Sequence, residues 1–103
     1  MFELKQLSKD AIPAALEKAL RYRLLEERAE AESICQDVLS IDPDNQEALV
    51  QLLLALTDAF SKGHAAGVRQ AQEVLTRLDD GYERAYYAGI ICERQGKARL
   101  QQG

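Results

Sequence analysis

The chain has 103 residues, 47% of them apolar, with no Trp, few Gly and Pro, and a net charge of -4. That length supports one modest hydrophobic core. The acidic balance, with no long basic run, argues against a general binder of nucleic-acid backbones, which needs a basic face to displace counterions.

In chain order, Phe2, Leu4 and Leu7 form a leading segment over residues 1–10, expected to pack on the first hairpin as a cap. The start carries Glu3 and has no apolar run, so it does not read as a secretory signal. A first helix is predicted over Ala11–Glu26, with Ile12, Ala15, Leu16, Ala19, Leu20 and Leu24 as its apolar stripe. Ser8 or Asp10 can cap it, and Pro13 is tolerated because it falls in the first turn. A second helix is predicted over Ala29–Ser40, turning Ala31, Ile34, Cys35, Val38 and Leu39 inward. Asp42-Pro43-Asp44-Asn45 stops it, and Asp44 with Glu47 reads as a capping box for the next.

The third helix, Gln46–Phe60, is apolar almost all the way round, as a helix buried on several sides should be. Its apolar core, Ala48 to Leu56, is interrupted by Gln51 and is too short to span a bilayer. Ser61-Lys62-Gly63-His64 breaks it, and a fourth helix is predicted over Ala65–Leu78. Asp79-Asp80-Gly81 ends that one, and Asp80 with Glu83 repeats the capping box. A fifth helix runs over Tyr82–Arg94; Gln95-Gly96-Lys97 is read as a turn, and Ala98-Arg99-Leu100 as the start of a further helix. The hairpins recur at a period of about 34 residues, the range of stacked helical repeats. The units are 12–45, 46–81 and a partial 82–103.

Little in the chain speaks for catalysis or metal binding. His64 is the only histidine and lies in a Gly-flanked turn, so no zinc or di-iron pattern can be built. Gly63 to Val68 lacks the Lys-Ser/Thr ending of a phosphate loop and follows a helix, not a strand. Asp42 to Asn45 resembles the opening of a calcium loop but lacks its later glycine and carries Leu53 at the last ligand position. The carboxylates at Glu26, Glu27, Glu30 and Glu32 mix with Arg21, Arg23 and Arg28 and read as a solvated face and turn. Cys35 and Cys92 lie in apolar helical patterns and are expected to be reduced and buried. No catalytic residue, cofactor or metal site is assigned, and the cytoplasm is the expected location.

The spacing resembles the tetratricopeptide repeat, with its W-x2-L-G-x2-Y, A-x3-F and P positions. The matches are Ala19, Tyr22, Ala31, Cys35, Val38 and Pro43 in the first unit. They are Leu49, Leu52, Leu56, Gly67, Ala71 and Val74 in the second, and Ala85, Ala88, Gly89, Cys92 and Gly96 in the third. The repeats are degenerate: Lys18 replaces the usual Leu, Asp79 stands where Pro would be, and no unit has the Trp. The resemblance implies an all-α fold of antiparallel helical hairpins. These would stack as a short right-handed solenoid of about two and a half repeats. Small residues at Ala19, Ala31, Gly67 and Gly89 would let paired helices approach closely.

In such stacks the first helices of the units line a concave face that binds peptides. By position this face is Leu16 and Leu20, Val50 and Leu54, and Tyr86 and Ile90. Its rim is Glu17, Arg23, Glu47, Gln51, Asp58, Glu93 and Arg94. Family members that clamp acidic C-terminal peptides carry Lys, Asn and Arg on this face. Those are missing at the matching positions, so an apolar peptide or amphipathic helix is the expected ligand. Small tetratricopeptide chaperones of bacterial secretion systems hold such apolar anchors. The implied function is a non-catalytic, chaperone- or scaffold-like protein-binding module with no nucleic-acid or membrane partner. The alternative is a structural domain, or part of a longer repeat protein, whose apolar face is covered by self-association. The partial third unit favours it, because Tyr86, Tyr87, Ile90, Ile91 and Leu100 are expected to be partly uncovered. A second copy in a homodimer, or chain beyond Gly103, would complete them.

Overall fold

The computed structural model describes residues 9–58, 60 and 66–102. Five α-helices account for most of them: α1 (Ile12–Leu24), α2 (Arg28–Ile41), α3 (Gln46–Asp58), α4 (Ala66–Thr76) and α5 (Gly81–Gln102). No strand occurs among the described residues. The expected cap formed by Phe2, Leu4 and Leu7, the cap at Ser8 and the turn at Ser61 to His64 lie outside them.

Each helix packs on the next in sequence, and α3 also touches both α1 and α5. The shape is elongated, 51 × 30 × 20 Å with a radius of gyration of 14.3 Å, where a compact globule of this length would be about 13 Å. The core runs through the middle of the row. Leu49 and Leu53 of α3 are fully buried between Val38 and Cys35 of α2 and Leu78 beyond α4. Each such side chain contributes roughly 1.5–3 kcal/mol. Ala19, Ala31 and Gly67 are buried small residues, as close helix packing requires.

The helix ends show how the sequence stops and restarts the chain. A 3-10 turn, Lys9–Ala11, leads into α1, whose N-cap Ala11 makes no side-chain bond, so Asp10 is not its cap. At the other end of α1, Glu26 has φ 62°. Its N–H donates to the Arg23 carbonyl (3.0 Å) and that of Glu27 to the Tyr22 carbonyl (2.8 Å), the paired bonds that close a helix on a left-handed residue. Asn45, not Asp44, caps α3: its Oδ1 accepts from the Ala48 N–H at 2.9 Å. The expected box therefore fails, because the third helical position is Ala48 and Glu47 stands one residue short. At α5 only the Asp80 half of the expected box is seen, its Oδ1 accepting from the Tyr82 N–H at 3.1 Å.

The largest departure is at α5. The expected turn at Gln95-Gly96-Lys97 does not form, and one helix of 22 residues continues from Gly81 to Gln102. Nothing at Gly96 demands a left-handed backbone, and a lone glycine inside a helix costs only about 1 kcal/mol.

Two bonds tie the turn before α3 to the turn before α5. Arg77 Nη2 donates to the Pro43 carbonyl at 2.6 Å, and the Asp79 N–H donates to Gln46 Oε1 at 2.9 Å. The partners are 34 and 33 residues apart, close to the period read in the sequence.

Candidate binding face of α1, α3 and α5

The odd-numbered helices share one face. At its centre Asp58, in the last turn of α3, receives two arginines from opposite sides. Arg23 Nε of α1 donates to Asp58 Oδ2 at 3.2 Å, and Arg94 Nη1 of α5 donates to Asp58 Oδ1 at 3.1 Å. Arg23 also reaches Gln51 Oε1 of α3 at 3.5 Å. The Arg23 and Asp58 side chains are 16% and 28% exposed, so this charge sits within the face and not on its edge. Partial burial weakens solvent screening and makes the pairs worth more than surface ones. Arg23, Gln51, Asp58 and Arg94, expected at the rim, therefore form a polar centre. Glu17, Glu47 and Glu93 stay exposed and outside it. Glu17 pairs with Arg21 at 2.8 Å and Glu93 with Lys97 at 3.3 Å, each one turn along its own helix.

The apolar ridges divide differently from the expectation. Leu16 is buried in the core at 2% exposure and offers nothing to a ligand. Leu20 and Tyr86 are exposed. Val50, Leu54 and Ile90 are half-buried, with Val50 and Leu54 resting on the core. Leu24, expected in the inward stripe, is exposed together with Leu25. Tyr87, expected to be partly uncovered, is half-buried; it packs on the core and meets Tyr86 edge to face at 5.0 Å between ring centres. Burial first, then the Glu83 carboxylate, pushes its phenol pKa up, while Arg23 acts against the shift. The adjacent tyrosines were visible in the sequence; that one faces inward and the other outward was not.

The cysteines separate. Cys35 is fully buried and its thiol pKa is pushed up to about 11, mainly by burial. Cys92 is exposed, contrary to expectation. Gly89 is likewise not a packing position, since a Cβ there would meet nothing within 4 Å. Both follow from the rotation of α5, which turns Ile91 and Tyr87 to the core and leaves the small residues outside. Ile91, expected to be partly uncovered, is 2% exposed.

Among the described residues no three His, Cys, Asp or Glu side chains gather as metal ligands, and no helix is long and apolar enough to cross a membrane. His64 lies outside the described residues. Comparison with protein-family models, with curated proteins and with solved structures finds no match.

Proposed function

We propose that the chain is a tetratricopeptide-like protein-binding module. It takes an apolar peptide or amphipathic helix of a partner on the face of α1, α3 and α5, without catalysis and without a cofactor. The observation that carries this reading is the alignment of equivalent positions. Arg23, Asp58 and Arg94 meet in one network although separated by 35 and 36 residues. Such an arrangement is expected when successive hairpins repeat with nearly constant register and present their first helices to one concave side. Beside the network Leu20, Leu54, Tyr86 and Ile90 supply graded apolar exposure of the kind a partner's anchor side chains would cover. The charge balance supports a protein partner over nucleic acid, with the cytoplasm as the proposed location.

Capture from lysate of the source cell on immobilised wild type and on Leu54→Glu tests the proposal. At least one protein should be retained by the wild type and lost by the variant, whose helical circular dichroism is unchanged. If every captured protein remains on Leu54→Glu, the face is not the binding site.

A second reading, self-association, is favoured by the outward side of α5. Tyr82 and Leu100 are 79% and 83% exposed there, and Gly89 and Gly96 face open space.

A further inference from the structure

The polar centre of the binding face carries more positive than negative charge, and this bears on what the face can hold. Two guanidiniums converge on a single carboxylate: Arg23 and Arg94 are cations and Asp58 is their shared anion. A guanidinium has five N–H donors. Among the described residues Arg94 commits only Nη1, to Asp58, and Arg23 commits Nε to Asp58 and Nη1 to Gln51. Most of the donor capacity is thus left over at a site that opens to solvent through Arg94, whose side chain is 37% exposed.

Nearby carboxylates do not cancel the excess. Glu93 is engaged with Lys97 at 3.3 Å. Glu83 acts on Tyr87, as Arg23 does, and lies about 16 Å from Arg94 along α5; Glu47, exposed, lies as far from Asp58 along α3, at a rise of 1.5 Å per residue. Glu17 is held by Arg21 at 2.8 Å. The chain as a whole is acidic at -4, whereas at Asp58 two guanidiniums meet one carboxylate, with Leu20, Leu54, Tyr86 and Ile90 on the same helices.

We infer that the occupant of the face is a protein segment that sets one acidic side chain among large apolar ones, its carboxylate bound by Arg94 and Arg23 beside Asp58. This rests on the proposed protein-binding role and adds the chemistry of the partner. A charge-assisted bond to a partly desolvated guanidinium gives specificity that apolar contacts alone do not. Asp58 holds both arginines in place while neutralising only one of them.

The test starts with short random peptides selected on the immobilised full chain. The selected peptides carry large apolar residues together with one Asp or Glu. Changing that residue to its amide weakens binding about tenfold. Arg94→Gln loses the same factor against the acidic peptide and nothing further against the amide one. Asp58→Asn acts in the opposite direction: with its competing carboxylate gone, the acidic peptide binds more tightly. A purely structural role for the triad would weaken binding in both variants, and circular dichroism identifies either one that fails to fold. Peptides sensitive to Leu54→Glu but indifferent to their acidic residue and to Arg94→Gln overturn the acidic anchor and leave the binding face intact. Peptides indifferent to Leu54→Glu as well, or no selected peptides at all, overturn both. If the wild-type chain sediments as a dimer that Arg94→Gln dissociates, the occupant is a second copy and the partner segment is refuted.

Discussion

Cys35 and Cys92 look alike in the sequence, each a small thiol in an apolar helical pattern, and the fold gives them opposite chemistry. Cys92 is exposed on α5 and should react within minutes with an aromatic disulfide reagent in the native state. Cys35 is buried and should react only on unfolding; equal rates for both would contradict the packing of α2. The Cys35 thiol also couples stability to alkaline pH. Its folded-state pKa is raised from 9.0 to about 11, so the unfolded chain loses this proton first as pH rises. The contribution is fully present below about pH 9 and is lost as pH climbs to about 11. Tyr87, also raised by burial, adds to the decline in the same direction. Urea midpoints should therefore fall across this window, and Cys35→Ala should show a shallower slope than the wild type.

Adjacent residues on α3 separate core from face. Leu53 is fully buried whereas Leu54 is half-exposed beside the polar centre. Leu53→Glu places an unpaired charge in the core and should cost about 4 kcal/mol or more. Leu54→Glu can turn its carboxylate to solvent and should cost about 1 kcal/mol. Chemical denaturation of both variants checks the difference, and equal losses would mean that α3 is rotated from its described position. The break between α2 and α3 was legible because Pro43 cannot continue a helix, and the start of α5 because Asp80 offers an oxygen to an orphan N–H group; the end of α1 on a left-handed Glu26 and the cap at Asn45 in place of Asp44 had no such signal. The fifth helix was misread for the converse reason. Gln95-Gly96-Lys97 carries one weak breaker among good helix formers, and a cost of about 1 kcal/mol does not end a packed helix. Gly96→Ala distinguishes the two cases. In a continuous helix, where an added Cβ meets nothing within 4 Å, it should stabilise by about 0.5–1 kcal/mol; in a left-handed turn it would destabilise. The candidate site was half legible. The resemblance, carried over by position, put Leu20, Val50, Leu54, Tyr86 and Ile90 on this face, but it also put Leu16 there, which α1 turns into the core. The joining of Arg23, Asp58 and Arg94 depends on how three helices lie side by side, which periodicity within one helix does not encode.

The row of helices has two kinds of surface, and they differ in what they leave uncovered. The face shared by α1, α3 and α5 is knit by charges, whereas the outer side of α5 is apolar with little polarity to solvate it. At 100° per residue, Tyr82, Gly89, Gly96 and Leu100 lie opposite Ile91, the residue that α5 buries in the core. Of the charged residues only Glu93, paired with Lys97, stands near this line. An exposed surface of this kind favours contact with another surface. The glycines let a second helix approach closely, and an isologous pairing would set the α5 helices of two copies against each other. The size of the contact limits its strength. A helix of 22 residues is about 33 Å long, and a strip about 10 Å wide gives roughly 330 Å² per copy, well short of a standard interface. Association should therefore be reversible and weak, with a Kd of tens of micromolar or above. Sedimentation equilibrium should show monomer and dimer exchanging in that range. Tyr82→Lys combined with Leu100→Lys should hold the chain monomeric without changing its unfolding midpoint, because neither side chain belongs to the core. A wild-type chain that remains monomeric at about 1 mM would leave the outer side of α5 no role in self-association.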